Sequence, residues 1–264
     1  MSKAADLGLS PAFSSMTKPT GTSINNLRGA TGVGKTYTLL KTCPGPVAYL
    51  NIDRDNDLML DRLRTKFGCE IFAPKRYALK FDNDIMRARD QVATDNAVLA
   101  RRLRDRFIAD YQAALDSKVR FIVIDQSNSV WSMLRIARWG KLTEIPQILY
   151  SQANWEMESL VHRADDTGKV VFWISQSEEV WEEVIEDTPG GPRKTRRPTG
   201  KFRTAGYKAF DSMMSSVLEL HYDIEENKRT MHVLKGIANM GKVLVGKEIT
   251  VPNIMTTITG REWK

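Results

Sequence analysis

The sequence predicts an α/β fold: a mostly parallel sheet flanked by helices, with an antiparallel extension towards the C-terminal end. Three observations predict it. A short strand runs into a glycine-rich turn and out into a helix at residues 23–41, and apolar strands then alternate with helices as far as residue 176. Beyond that point, strand candidates follow one another in hairpin fashion.

Taken in order, Ser23-Ile24-Asn25-Asn26-Leu27-Arg28 reads as a strand, although Asn25 and Asn26 make it less apolar than a buried central strand should be. Gly29-Ala30-Thr31-Gly32-Val33-Gly34-Lys35-Thr36 follows, a complete G-x-x-x-x-G-K-[ST] run, and Tyr37-Thr38-Leu39-Leu40-Lys41 continues as a helix. Cys43-Pro44-Gly45-Pro46 is a turn, after which residues 47–52 form a buried strand ending at Asp53-Arg54-Asp55. Residues 58–67 are helical by periodicity, and residues 70–82 hold one or two short strands. Residues 83–117 contain neither Gly nor Pro, and Ile85, Val92, Val98, Leu99, Leu103, Phe107, Ile108 and Tyr111 recur at near-helical spacing.

The apolar, β-branched strand 119–125 ends in Asp125. A polar segment, a helix over about 146–163 and a further buried strand, 170–176, come next. The remainder is a charged stretch interrupted by Gly and Pro (177–206), a helix around 207–214, and strands near 216–223 and 229–236. Residues 1–22 are rich in Ser, Thr, Pro, Ala and Gly and read as a flexible N-terminal arm, which leaves 23–264 as one domain.

With 264 residues, 42% of them hydrophobic, the chain is long enough for one α/β domain with a large core. No apolar stretch approaches the ~20 residues that a membrane-spanning helix needs, and no cationic start with an apolar run marks a secretion signal. A cytoplasmic protein without a membrane partner is the expectation. Cys43 and Cys69 are the two cysteines, with no CxxC pair and no nearby His, which argues against a zinc site or a disulfide scaffold. The formal net charge of +7 favours a polyanionic partner such as nucleic acid, but only the position of the charges can carry that argument.

The run 29–36 carries the chemistry. Glycines let the backbone amides of Gly29, Ala30, Thr31, Gly32, Val33 and Gly34 face a polyphosphate, Lys35 reaches the β and γ oxygens, and the Thr36 hydroxyl can ligate Mg²⁺. ATP and Mg²⁺ are therefore the expected cofactors. Asp125, at the carboxyl end of a buried strand, stands where a Mg²⁺-organising acid belongs, because ligands of open α/β sheets bind at that edge. Gln126 follows it where AAA+ ATPases usually place a water-activating glutamate, so a base must come from elsewhere.

The strand ending Ile52-Asp53-Arg54-Asp55 is similar to that of RecA-like P-loop ATPases, in which an acid-x-Glu pattern supplies the catalytic carboxylate. That resemblance implies a catalytic role for Asp55 and a supporting one for Asp53, with Asp in place of Glu leaving the choice between them open. Phe172-Trp173-Ile174-Ser175-Gln176 resembles the family's strand ending in a glutamine that touches the γ-phosphate and relays nucleotide state to the segment after it. Thr230-Met231-His232-Val233-Leu234-Lys235-Gly236 resembles the late strand whose lysine contacts nucleotide across a subunit boundary. The resemblance spans about residues 23–250, with one strong motif and three weaker ones. In size and layout the nearest group is the phage-encoded RecA-like recombination ATPases that accompany single-strand annealing proteins. It implies a RecA-like core, a DNA-stimulated ATPase acting on single-stranded DNA, a homo-oligomer, an annealing or single-strand-binding protein as partner, and a phage-infected bacterial host.

After Gln176 the chain is first acidic (Glu178, Glu179, Glu182, Glu183, Glu186, Asp187) and then basic (Arg193, Lys194, Arg196, Arg197, Lys201, Arg203). Two arrangements are open: a hairpin turning at Pro189-Gly190-Gly191-Pro192 whose arms pair by charge, or a free basic arm that meets a phosphate backbone with Trp181 and Phe202 available for stacking. Arg135, Arg138, Trp139 and Lys141 offer a second contact surface or the snorkelling face of an amphipathic helix. Arg101, Arg102, Arg104 and Arg106 read as a solvated helix face. A nucleotide kinase with a basic lid, and a nucleotide-gated binding or packaging protein with little hydrolysis, are the competing functional readings.

Overall fold

The computed structural model describes residues 22–52, 56–74, 77, 90–188 and 191–263. An eight-stranded sheet forms the centre. Its strands are β1 (Ser23–Arg28), β2 (Val47–Asn51), β3 (Ile71–Phe72), β4 (Phe121–Asp125), β5 (Val170–Ile174), β8 (Ser216–Asp223), β9 (Lys228–Lys235) and β10 (Val243–Val245), in the order β10-β9-β8-β1-β5-β4-β2-β3. From β8 to β3 all neighbours run parallel, while β9 and β10 continue the β8 edge antiparallel. The expected parallel sheet with its antiparallel extension is therefore present. β6 (Ser177–Thr188) and β7 (Gly191–Thr204) leave it as a separate two-stranded ribbon.

Strands buried on both faces need apolar residues at every position, and β4 and β5 supply them. Phe121 and Val123, with Phe172 and Ile174, face a core shared with helices α1 (Lys35–Thr42), α2 (Asp57–Phe67) and α7 (Val251–Thr259). Ile122, Ile124, Val171 and Trp173 point the other way, into a core closed by α3 (Asp90–Asp116), α4 (Ser127–Trp139) and α5 (Tyr150–His162). The short α6 (Phe210–Met213) seals the end of that second core with Phe210, whose ring meets Trp173 edge-on at 5.6 Å.

Three elements depart from expectation. Residues 127–139 form α4 where a polar segment was expected, in keeping with the amphipathic-helix alternative for Arg135, Arg138 and Trp139, because Val130, Met133, Leu134 and Ala137 recur three and four apart and bury against the sheet and α3. β10 and α7 likewise lie beyond the strands that the sequence reading reached, although Thr250 accepting from Asn253 N at 3.4 Å and Pro252 in the first turn are ordinary start signals for a helix. Residues 83–89 of the expected long helix, and residues 1–21 of the expected arm, lie outside the described residues.

Candidate functional site

β1 delivers residues 29–34 to the carboxyl edge of the sheet, and α1 starts at Lys35. Two glycines of the loop are required sterically. A Cβ at Gly29 would lie 2.4 Å from the Leu220 carbonyl oxygen on β8, and Gly34, with φ of 91°, sits 3.3 Å from the Arg229 guanidinium at the same notional atom. Lys35 Nζ donates to the carbonyls of Gly29 and Ala30, both at 2.8 Å, so its charge is centred over the loop. Arg229 Nε donates to Val33 O at 3.1 Å and braces the loop from β9.

Asp125 ends β4 and is 4% exposed. Its Oδ2 accepts from the Thr36 hydroxyl at 2.7 Å and from the Tyr49 hydroxyl at 2.9 Å, and Asn56 Nδ2 donates to Tyr49 in turn at 2.8 Å. Gly32, Gly34, Lys35, Thr36, Asp125 and Gln176 line one cleft of about 230 Å³. The structure thus brings together the loop, the β4 acid and the β5 glutamine, which are about 50 to 140 residues apart in sequence. β2 pairs with β4 so that Asn51 lies opposite Asp125, and Ile52 N donates to Asp125 O at 2.6 Å. Asp53 and Asp55, which follow, lie outside the described residues. Lys235 is held at the far end of β9 from Arg229, about 20 Å away at ordinary strand rise, where Nζ donates to the carbonyls of Ser212 (2.8 Å) and Asp211 (3.3 Å).

The two polar residues of β1 are explained by what they bridge. Asn25 ties β1 to both neighbours, donating to Val171 O at 3.3 Å and accepting from the Ser216 hydroxyl at 2.6 Å. Asn26 is the hub of a buried chain: the Ser127 and Ser175 hydroxyls are 2.6 Å apart, Ser175 donates to Asn26 Oδ1 at 2.6 Å, and Asn26 Nδ2 donates to Thr204 Oγ1 (2.8 Å) and Asp211 Oδ1 (2.6 Å). Arg28 completes it with Asp211 at 3.0 Å, Glu219 at 3.2 Å and the carbonyl of Phe202 at 2.9 Å. The base of the ribbon is tied to the loop directly, since Ser177 N donates to Gly29 O and Ala205 N to Gln176 O. A pair of asparagines in an apolar strand was the only sequence signal for this network.

Of the two arrangements open for residues 177–206, the structure adopts the hairpin. Glu178 faces Arg203, Glu182 faces Arg197, Glu183 faces Arg196 and Glu186 faces Arg193, with a bulge between Glu179 and Trp181. Ion pairs form between Arg203 and Glu178 (2.7 Å), Arg197 and Glu186 (3.3 Å), and Glu183 with both Lys194 and Arg196 (3.8 Å each). Among the described residues Arg193 and Lys201 have no ion pair, and Trp181 and Phe202 are exposed.

In the second basic group Arg135 is buried, while Arg138, Trp139 and Lys141 are partly exposed. Arg135 packs its guanidinium against the rings of Trp131 and Tyr150 at 4.5 Å each and donates to Tyr150 and the Leu142 carbonyl; burial lowers its pKa. Arg138 pairs with Glu156 at 2.7 Å. Arg101 and Arg102 are exposed, as expected of a solvated helix face, although Arg101 also donates to Ala137 O at 2.8 Å and so ties α3 to α4. Cys43 and Cys69 are free, and burial pushes the Cys43 thiol up to about 12. No group of three or more His, Cys, Asp or Glu side chains is placed to hold a metal among the described residues, and no described helix is long and apolar enough to cross a membrane.

No protein-family model and no curated protein sequence matches the chain. One solved structure to which it is similar is a KaiC-like protein of the hyperthermophilic archaeon Pyrococcus horikoshii OT3, a remote likeness with 13% identity and a TM-score of 0.42 over 86% of this chain and 84% of that one.

Proposed function

We propose that the chain binds Mg·ATP in the cleft of the phosphate loop and hydrolyses it. The observation that carries the reading is the 2.7 Å hydrogen bond from the Thr36 hydroxyl to Asp125, made at the mouth of a glycine loop whose lysine is already drawn over it. A hydroxyl and a carboxylate are hard oxygen donors, the set that Mg²⁺ prefers alongside phosphate oxygens, and the carboxylate is buried while the hydroxyl is half-buried. Thr36 and Asp125 would hold the ion, which when bound neutralises charge on the β and γ phosphates. Loop amides 29–34 orient the triphosphate, Lys35 offsets γ charge, and Gln176 faces the γ end of the cleft. The water-orienting base is assigned to Asp55 or Asp53.

The finer reading is a DNA-stimulated ATPase acting on single-stranded DNA in recombination, repair or replication, as a homo-oligomer that works with an annealing or single-strand-binding protein. Its support is the resemblance of the strand motifs, the net charge of +7, and Trp181 and Phe202 exposed beside cations on a ribbon bonded to the loop. Lys235 belongs to this reading as a contact to a neighbouring copy's nucleotide. Phosphate release measured with and without single-stranded DNA tests both levels. Turnover that rises with DNA and disappears in Lys35→Ala supports them, and turnover retained in Lys35→Ala refutes the assignment of the loop.

One observation favours a second reading, a nucleotide-gated binding protein with little hydrolysis. Gln126, not a carboxylate, follows Asp125 on the wall of the cleft. Tight Mg·ATP binding without phosphate release, with or without DNA, selects it.

A further inference from the structure

The two cysteines stand at corresponding places on neighbouring helices. Cys43 closes the C-terminal end of α1, where its N–H donates to Leu39 O at 3.1 Å, and Cys69 follows Gly68, the left-handed residue that ends α2, with its N–H on Leu63 O at 3.1 Å. The chain then enters β2 and β3, which run side by side with Val47 opposite Ile71 and Val47 N donating to Glu70 O at 2.9 Å. Strand pairing thus brings the two helix ends together, and both thiols line one cleft of about 310 Å³ walled by Leu40, Val47 and Phe67. Both are free and partly exposed, and they feel each other: burial first and then Cys69 raise the pKa of the Cys43 thiol.

The opposite ends of the same two helices line the phosphate cleft. Lys35, Thr36 and Tyr37 open α1, while Asn56 and Met59 belong to the start of α2. Asn56 also donates to the Tyr49 hydroxyl that bonds Asp125. Short helices move as rigid units, so a change of spacing at the cysteine ends is carried to the phosphate ends.

We propose that Cys43 and Cys69 form a dithiol modification site that takes a small-molecule disulfide such as oxidised glutathione and closes into a bridge between α1 and α2, weakening the hold of the phosphate cleft on its ligand. Cys69 loses its proton, and its thiolate attacks one sulfur of oxidised glutathione, forming a mixed disulfide and expelling one glutathione thiolate. Cys43, whose thiol is held protonated, attacks second: its sulfur bonds to that of Cys69, the other glutathione thiolate leaves, and the two protons end on the two glutathiones. Two protein thiols are oxidised to one disulfide, and one small disulfide is reduced to two thiols. The new S–S bond, about 2 Å long, requires the cleft between the helix ends to narrow, which shifts α1 against α2 and so displaces Lys35 relative to Asn56. The effect on ligand binding rests on the reading of the phosphate cleft given above; the chemistry of the two thiols does not.

The test is treatment of the full chain with oxidised glutathione, followed by peptide mass mapping and by calorimetric titration with Mg·ATP. The expected product is an intramolecular disulfide between Cys43 and Cys69, lighter than the reduced chain by two hydrogens, that binds Mg·ATP about tenfold more weakly and regains its affinity with dithiothreitol. Cys43→Ser and Cys69→Ser should each stay unbridged and keep the affinity of the reduced chain under the same treatment. Glutathione left on the cysteines without a bridge, or no reaction at all, overturns the site. A bridge with unchanged affinity overturns the coupling between the helix ends. A reduced chain that binds no Mg·ATP instead refutes the phosphate cleft and the regulation with it, while the dithiol site stands or falls on the mass alone. The wild-type comparison is sufficient should a variant fail to fold.

Discussion

The phosphate cleft and the charged ribbon both consist of polar groups at the carboxyl edge of one sheet, yet they hold them in opposite ways. Asp125 on the wall of the cleft, and Asn26 and Ser175 in the buried chain beneath it, are 4%, 0% and 0% exposed, and their partners approach at 2.6–2.9 Å. On the ribbon, the paired side chains are 41–77% exposed, and two of the four pairs to glutamate are as long as 3.8 Å. A buried hydrogen bond is costly to break because the orphaned partner has no water to turn to, whereas an exposed ion pair is exchanged for hydration at little loss. The lesson is that the same residue types act as fixed machinery in one place and as replaceable surface in the other.

Four experiments break or sharpen that contrast. The largest effect belongs to Lys35→Ala, for which phosphate release should fall by about 10³-fold or more, since the charge facing the γ-phosphate is lost. Next is Asn26→Leu. It takes one hydrogen-bond partner each from the buried Ser175 and Thr204 and from Asp211, and urea unfolding should show a loss of about 2–4 kcal/mol. A loss under about 0.5 kcal/mol would mean that the buried chain carries no more weight than the ribbon does. Asp125→Asn keeps the shape but removes the negative charge offered to the ion, so the Mg²⁺ concentration for half-maximal hydrolysis should rise about tenfold. Smallest is the Glu178 and Arg203 pair on the ribbon. A double-mutant cycle to alanine should give a coupling under about 1 kcal/mol, shrinking further in 1 M salt.

What could be read in advance divides along the same line. The loop 29–36 was legible because its chemistry is contiguous: spacing alone puts glycines, lysine and threonine on one turn. Strands β2, β4 and β5 were legible because burial on both faces demands unbroken apolar runs. For α4 the role of Arg135 and Arg138 stayed open between contact surface and helix face, because their partners Tyr150 and Glu156 come from α5 and cannot be seen from spacing. Arg229 was missed for a similar reason. One arginine in a strand of mixed polarity looks like solvent-facing charge until β8 and β9 fold it back against Val33.

The sequence by itself determined the α/β class, the phosphate loop and the acid that closes β4, since each depends on residues that are neighbours in the chain. Only the tertiary structure decided that Thr36 meets Asp125, that Asn25 and Asn26 are staples rather than flaws, and that the acidic and basic runs face each other across a ribbon. Those outcomes depend on strand order and register, and contacts between residues far apart in the chain are set by how the sheet is assembled and not by any local preference.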